Sequence, residues 1–447
     1  MANLITHSLS YSKQSLTEYF IKPLFIQNDI RSLITIRTNI KDNEKLDFFD
    51  KLSKITKAYA QGTSFSSSTG VTITQKTLTV EDMKAEVKQN GKAFLNYVKE
   101  SLLSKGYKEN DITGTLFEEI VAAIFMDALK ADLQRQIFFG DTTKTTTSSD
   151  IASATADVHY NVYNGFWTRI ITDIAATTIP VAQWVDLNST TYLTTAGVKQ
   201  VATTTLTGTS GTANITFNGT AYLATFTTDL TTSAANFVTS HAATIAARFN
   251  GAVVTNSGAG IIFTSNIAGV PISVSAAVNA SGNLAGSVVA TTANVSRSAM
   301  KADGAYTAFK ALYATMPPVL KKNKEYAKFM CTASVVDNYR TTLESATAGS
   351  ESAYMAVIDG VKKLAYRGIE IIERNEWDVI IDEDFGNAYP HRILLTIPQN
   401  LVFGTDGESD DMSAEIFYDK IGQENIFRVE YKAGTQYVHP DYICAAY

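Results

Sequence analysis

The clearest pattern in the chain is LFEEIVAAIFMDALKADLQRQIF at 116–138, where Phe117, Val121, Phe125, Leu129 and Leu133 recur every fourth residue. Leu116, Ile120 and Ile124 widen that apolar stripe, Thr115 and Glu118 form a capping box, and Gly140 supplies the stop. The spacing predicts one helix roughly 34 Å long, suited to spanning a subunit. Upstream, VTITQKTLTV and the alternation of Met83, Ala85 and Val87 with Lys84, Glu86 and Lys88 predict a hairpin over 63–90 with one apolar face. Residues 41–57 read as a short helix, and 92–104, with Phe94, Val98 and Leu102 in line, as an amphipathic one. A further short helix is expected around Asn164–Ala175.

Between about 201 and 295 the pattern changes. Short runs such as TANITF, TAYLATFTT, AVVTN, GIIFTS, PISVSAAV and GSVVATT predict strands. One helix, Ser233–Arg248, interrupts them, with Ala234, Phe237, Val238, His241 and Ile245 on one side. After Arg297 the earlier style resumes. Helices are expected at Ala305–Ala314 and in VVDNYRTTLES, and strands in KFMCTA, RGIEIIER, WDVIID, HRILLTIPQ, FRVEYKA and QYVHPDYICAAY. Helices and strands in mixed order define an α+β class.

Composition sharpens this outline. The 447 residues are 45 % hydrophobic and 10 % aromatic, enough for a sizeable core. Only 18 % are charged, low for a monomer surface, so much of the exterior is expected to be covered. The apolar run Ile120–Met126 ends at Asp127, well short of the roughly 18 residues of a membrane span, and the first residues lack a secretory pattern. Cys331 and Cys444 read as buried free thiols of a reducing compartment. The net charge of −6 argues against a dedicated nucleic-acid binder.

That charge is unevenly placed. Residues 1–60 hold nine basic and six acidic side chains, whereas 369–447 hold five basic and sixteen acidic. Residues 201–295 hold only Asp229 and Arg248 among nineteen threonines. Three compositions imply at least three structural regions. The Thr-rich stretch reads as an inserted α+β domain with an uncharged exterior.

Catalytic constellations are absent from the sequence. There is no Gly-rich phosphate loop, no paired C-x-x-C, no H-E-x-x-H and no G-x-S-x-G. His7, His159, His241, His391 and His439 are scattered, and Asp384-Phe385-Gly386 stands without the other elements of a kinase. The clusters Asp382–Glu383–Asp384 and Asp406, Glu408, Asp410, Asp411 lack EF-hand spacing and read as solvated acidic loops. No catalytic residue, metal site or cofactor is expected.

The order of parts resembles the major capsid proteins of tailed double-stranded DNA phages, the Hong Kong 97 fold. TITQKTLTVEDMKAEVKQN (72–90) is similar to that family's extended E-loop, FEEIVAAIFMDALKADLQRQIFFGD (117–141) to its spine helix, and FWTRIITDIAA (166–176) to the entry into the axial (A) domain. DGAYTAFKALYATMPPVLKK, FMCTASVVDNYRTTLES, YRGIEIIER and HRILLTIPQNLVFGTD follow in that domain's usual order. The resemblance implies an arm at 1–57, an E-loop hairpin at 58–91 and a peripheral (P) domain at 92–150. An A domain would begin at 151–200, carry the insertion at 201–297 and resume at 298–447 together with returning P-domain strands.

It further implies a structural, non-enzymatic subunit of the virion, assembled in the host cytoplasm into hexamers and pentamers around the genome. Portal, scaffolding and decoration proteins are the implied partners, with packaged DNA nearby and no membrane. The phage group it points to is crAss-like. Some family members cross-link through a hairpin lysine, which makes Lys76, Lys84 and Lys88 the positions to inspect; solvated edge lysines are the plainer reading. The basic arm and the acidic C-terminal region would be complementary across subunits, which reversal of Lys13, Lys22 and Arg31 to Glu tests. The alternative within the fold is an encapsulin-like compartment shell. A Thr-rich adhesin would need β structure throughout, and an enzyme would need a convergent set of reactive groups.

Overall fold

The computed structural model describes residues 32–49, 73–90, 116–144, 157–249, 251–345, 355–358, 361–406, 415–419, 421–422 and 424–447. The expected helix at 92–104, the capping Thr115 and the first 31 residues lie outside this set. The chain divides into two compact units, one of 1–140, 162–169 and 399–439, the other of 141–161, 170–398 and 440–447.

In the first unit, β1 (Thr35–Arg37) lies parallel to the strand Leu401–Thr405. β2 (Asn43–Phe49) pairs antiparallel with β3 (Ile73–Thr79), Leu46 opposite Lys76. The short helix expected over 41–57 is therefore a strand at 43–49. Leu46 is buried between exposed Lys45 and Asp47, a period of two that the polar neighbours obscure in sequence. The hairpin also differs from the one expected over 58–91. β3 pairs with β2, while β4 (Glu81–Asn90) pairs along its whole length with the strand Glu424–Tyr437.

Val80 separates β3 from β4, and its N–H donates to the Asp42 carbonyl at 3.0 Å. Ile40, Leu46, Leu78, Val80 and Val402 form a small core at this point. The backbones approach closely here: a Cβ on Gly434 would stand 2.0 Å from the Thr79 carbonyl oxygen, so only glycine fits. Glu424–Tyr437 is also flanked on its other edge by Leu401–Thr405 and Glu415–Asp419, and with β1 these strands form a five-stranded sheet.

α1 (Leu116–Phe139) is the long helix that the pattern predicts. Phe125 and Leu129 of its stripe are buried, and Phe125 packs 6.0 Å from Phe427 of the ribbon. Its last turn, Gln136–Phe139, is buried all round, which breaks the single-face pattern. Gly140 ends it, donating to the Gln136 carbonyl at 2.9 Å. Its own carbonyl then accepts from Gly165 N–H at 2.8 Å and from Thr168 Oγ1 at 2.7 Å, at the start of α2 (Phe166–Ala175). Phe138 meets Phe166 at 5.7 Å, so the helix end is clamped by both backbone and rings.

The second unit contains a seven-stranded mixed sheet in the order β14–β15–β16–β13–β17, then the strand Ile443–Ala446, then β5. These are β5 (Trp184–Val185), β13 (Lys328–Thr332), β14 (Met355–Ile358), β15 (Val361–Tyr366), β16 (Ile369–Arg374) and β17 (Ile393–Thr396). β13 and β16 run parallel. Between β5 and β13 lies a separate folded block with its own core. Its sheets are β12–β6–β10–β9 and β11–β7–β8, and the helix is α3 (Leu230–Arg248), capped by the Asp229 carboxylate on Thr232 N–H. The strands are β6 (Val201–Thr207), β7 (Gly211–Phe217), β8 (Thr220–Thr225), β9 (Val253–Ser257), β10 (Gly260–Thr264), β11 (Val278–Gly282) and β12 (Ala285–Thr292). Phe217, Phe237, Ile245 and Phe263 are among the side chains that fill the interior of this block. Its two ends meet, Val198 and Val295 exchanging backbone hydrogen bonds at 2.9 and 3.2 Å.

PISVSAAV, expected as a strand, is irregular apart from one bridge at Val274 and the first residue of β11. β6, at the centre of its sheet, was not among the expected strands; its buried positions are Ala202, Thr204 and Leu206, alternating under a threonine-rich exterior.

Four helices complete the unit: α4 (Gly304–Thr315), α5 (Pro318–Lys322), α6 (Ala333–Ser345) and α7 (Asn375–Phe385). WDVIID, expected as a strand, lies in α7. Trp377 and Ile381, four apart, are its buried residues, and the Asp378 carboxylate accepts from the Ala333 and Ser334 N–H groups at the start of α6. The run reads as a strand only because Val379 and Ile380, which are not buried, sit beside them.

Candidate functional site

Among the described residues the histidines do not converge. His7 lies outside the described residues, His159 is exposed, and His439 is buried against Phe48, ring to ring at 4.0 Å. His241 contacts the Leu223 carbonyl at 3.1 Å and packs on Phe237 within the Thr-rich block. Among the described residues no group of three His, Cys, Asp or Glu is placed to hold a metal ion.

Asp382, Glu383 and Asp384, expected in a loop, instead form the last turn of α7. Asp384 accepts from the Tyr160 hydroxyl and Asp382 from the Asn387 amide. Gly386, the glycine of the kinase-like triplet, is a left-handed helix cap with φ 56°. Asp406 accepts from Lys432 N–H at 3.0 Å, and the rest of its acidic cluster is outside the described residues.

Cys331 on β13 and Cys444 on the C-terminal strand are both fully buried, separated by β17. Burial raises the Cys331 thiol well above its ordinary range and pushes Cys444 up to about 12. Neither is a nucleophile near neutrality.

The densest polar assembly in the second unit sits where the stem of the Thr-rich block leaves the mixed sheet. His391 Nε2 lies 3.1 Å from the Ser298 carbonyl, and Nδ1 lies 3.0 Å from Ser334 Oγ. The carbonyl can only accept, so Nε2 carries the proton and Nδ1 accepts from the serine in the neutral ring. Arg392 is buried beside it, donating to the Tyr389 and Ala388 carbonyls at 3.0 and 2.9 Å, and desolvation lowers its pKa to about 9. Arg297 stacks over Tyr389 at 4.7 Å. Through His391 this arrangement ties Ser298, at the end of the Thr-rich block, to Ser334 at the start of α6.

It does have a pH signature. Burial, with Arg297 nearby, depresses the His391 pKa below 6.5, against opposing pulls from Ser298 and Asp378. Below about 6.5 the unfolded chain gains a proton that the folded chain refuses, so this group's contribution to stability is present above that value and lost as pH falls toward the depressed pKa. His391→Gln is expected to flatten that part of the stability–pH curve. Chemical denaturation at pH 7.5, 6.5 and 5.5 checks it; an unchanged slope contradicts the assignment.

The remaining features are surfaces. Of the hairpin lysines, Lys76 Nζ sits 3.2 Å over the Tyr437 ring and Lys84 pairs with Glu86 at 2.8 Å, so both are engaged within the chain. Lys88 stands on β4 opposite Ile426. On the outer face of the four-stranded block sheet, Val289, Thr203, Ile262 and Thr255 align across the strands, as do Ser287, Thr205, Gly260 and Ser257. No charged side chain lies on these four strands.

Among solved structures, the chain is similar to one titled as the satellite phage P4 procapsid including size determination protein. Identity there is 10 %, coverage 99 % of this chain and 92 % of that one, and TM-score 0.41. It is similar to a chain of Mycobacterium phage Ogopogo at 8 % identity, covering 94 % and 91 %, TM-score 0.41. Similarity to the capsid structure of the cyanophage P-SCSP1u is 12 % in identity over 94 % and 87 %, TM-score 0.40. No protein-family model matches the chain, and no curated protein matches it.

Proposed function

We propose that this chain is a structural shell subunit, the major capsid protein of a tailed double-stranded DNA phage with a Hong Kong 97-type α+β fold. In this reading it self-assembles into hexamers and pentamers of the head. The observation that carries the reading is the order and form of parts in the first unit. A two-stranded ribbon of β2 and β3 is followed by β4 and a 24-residue helix locked at its glycine end, and the chain then returns as the long strand Glu424–Tyr437, which pairs with β4 in a five-stranded sheet. The scarcity of charge and the lack of convergent chemistry among the described residues fit a subunit whose surface is mostly interface.

In this assignment the arm is at the N-terminus and the E-loop is the β2–β3 ribbon with the residues between its strands. The P domain is built on α1 and the five-stranded sheet. The A domain is built on the mixed sheet, with the block at 201–297 inserted in it. Other copies are the first partner; portal, scaffolding and decoration proteins and packaged DNA follow from the same reading. Electron microscopy of the purified chain after size-exclusion chromatography tests it. Closed shells, or rings of five and six, are expected. A chain that stays monomeric at high concentration, alone and with a scaffolding protein, overturns the reading.

A further inference from the structure

We propose that the second unit carries a two-ended electrostatic docking pair for a further copy of this chain, a cationic end and an acidic end at opposite termini of β13 and β16. The proposal deepens the assembly reading above and rests on it.

The cationic end lies where both parallel strands begin. Lys328 and Glu370 are opposite each other in the ladder, and the β15–β16 turn presents Arg367 just before it. Arg367 and Gly368 have φ of 51° and 83°, the left-handed geometry of a tight hairpin turn. That turn carries the Arg367 guanidinium 4.7 Å over the Tyr313 ring, and Lys321 Nζ lies 5.9 Å from the same ring. Lys322 and Lys324 are exposed beside them. Glu370 is shared by Lys328 and Lys363 at 3.7 and 2.8 Å. Six basic side chains therefore face only Glu325 and Glu370 among the acidic residues of these segments, 321–328 and 363–370.

The acidic end lies where the strands finish. α7 follows β16 directly, Asp378 binds the N–H groups that follow β13, and the chain re-enters at Ile393 opposite Cys331. The segment 375–392 is thus anchored at this end at both its termini, about 17 Å along β16 from Ile369 at 3.3 Å per residue. α7 holds five carboxylates and no basic residue. Three of them, Asp382, Glu383 and Asp384, crowd its last turn, where the helix carbonyls already present negative potential. Asp382 and Glu383 are exposed, and Val379 beside them is 54 % exposed.

Lys144 Nζ lies 4.5 Å over Phe385 at the acidic end and Glu370 stands at the cationic one, yet each end keeps an excess of one sign. A second copy brings the two signs together. Because the complementary surfaces are different patches of one chain, the contact is heterologous and propagates head to tail into a ring or an open chain, not a closed two-fold dimer. The uncharged face of the Thr-rich block offers no such complementarity.

Charge reversal tests this with two variants and their mixture, each checked for native far-UV circular dichroism. Lys321→Glu with Arg367→Glu balances the cationic end, six basic and two acidic side chains becoming four and four, and Asp382→Lys with Glu383→Lys leaves α7 with three carboxylates and two lysines. In sedimentation at 150 mM salt, each alone is expected to need at least tenfold higher concentration than wild type to assemble. In an equimolar mixture the intact cationic end of one variant meets the intact acidic end of the other, so mixed pairs are expected. Both double variants assembling like wild type overturns the proposal, and so does a mixture of folded variants that forms no pairs. Failure of the wild type itself to assemble under any condition overturns the shell reading instead.

Discussion

Gly165→Ala is expected to remove most of the stability of the first unit, leaving little soluble folded chain. An added Cβ would stand 2.7 Å from Gly140 N and from the Phe138 carbonyl carbon, and 2.8 Å from the Gln136 carbonyl oxygen. All three are backbone atoms at the end of α1, so no rotamer change relieves the contact. Gly140 is equally confined, with a Cβ 2.3 Å from the Tyr163 carbonyl oxygen. The helix end would have to retreat, breaking the Gly165-to-Gly140 and Thr168-to-Gly140 hydrogen bonds. Overpacking against yielding side chains costs about 1–3 kcal/mol, and a rigid backbone neighbour places this case at or above about 3 kcal/mol. Urea unfolding followed by far-UV circular dichroism measures it, and a midpoint within error of wild type would show that α1 can shift freely.

Phe309→Ala is the second large effect, in the other unit. Phe309 of α4 is fully buried, with ring centroids of Phe329, Tyr339 and Tyr366 at 5.0, 5.1 and 5.9 Å. It sits among β13, α6 and the β15–β16 turn, so truncation leaves a hole lined by aromatic rings that cannot collapse into it. Tyr339 is further fixed by its hydroxyl on the Ala365 carbonyl at 3.3 Å. Loss of a core phenylalanine costs about 3–5 kcal/mol. The expected result is a matching fall in unfolding free energy with loss of near-ultraviolet aromatic dichroism; Phe309→Leu should recover about half. An unchanged near-ultraviolet spectrum would show that the four rings do not act as one packed group.

Both substitutions act by unfolding a unit, so neither bears on the proposed assembly. The charge reversals and His391→Gln are the changes that leave these cores intact.

Much of the fold was legible before the structure. α1 carries its stripe, its stop and its length in sequence, because helix periodicity and a terminal glycine are local properties. The same holds for the body of α3, expected from Ser233 with Ala234, Phe237 and Ile245 on its inner face; the structure begins it at Leu230, capped by Asp229. Strands with strong β-branched runs, such as GIIFT at 260–264, were equally plain. The change to an almost uncharged composition near 201 coincides with a block whose core is its own.

What failed were segments whose state is set by distant partners. Residues 43–49 hold a mixture of polar and apolar groups that suits a helix as well as a strand. They are a strand because β3 and the small core around Leu46 and Val80 take them as one. WDVIID has the apolar density of a strand, and becomes α7 because Trp377 and Ile381 point one way while Asp378 caps a neighbouring helix. The hairpin near 63–90 was placed one strand too late, since which strand pairs with which depends on Gly434 admitting the Thr79 backbone to the ribbon.

By itself, the sequence determined the α+β class, helices such as α1, α3 and α4, the uncharged block and the absence of recognisable catalytic motifs, because periodicity, capping and composition act over a few residues. Only the tertiary structure decided that opposite charges stand at opposite ends of β13 and β16. Arg367, Lys321 and Glu383 are far apart or unremarkable along the chain. Their grouping depends on which ends of two parallel strands the intervening loops and helices occupy, and no local rule specifies that.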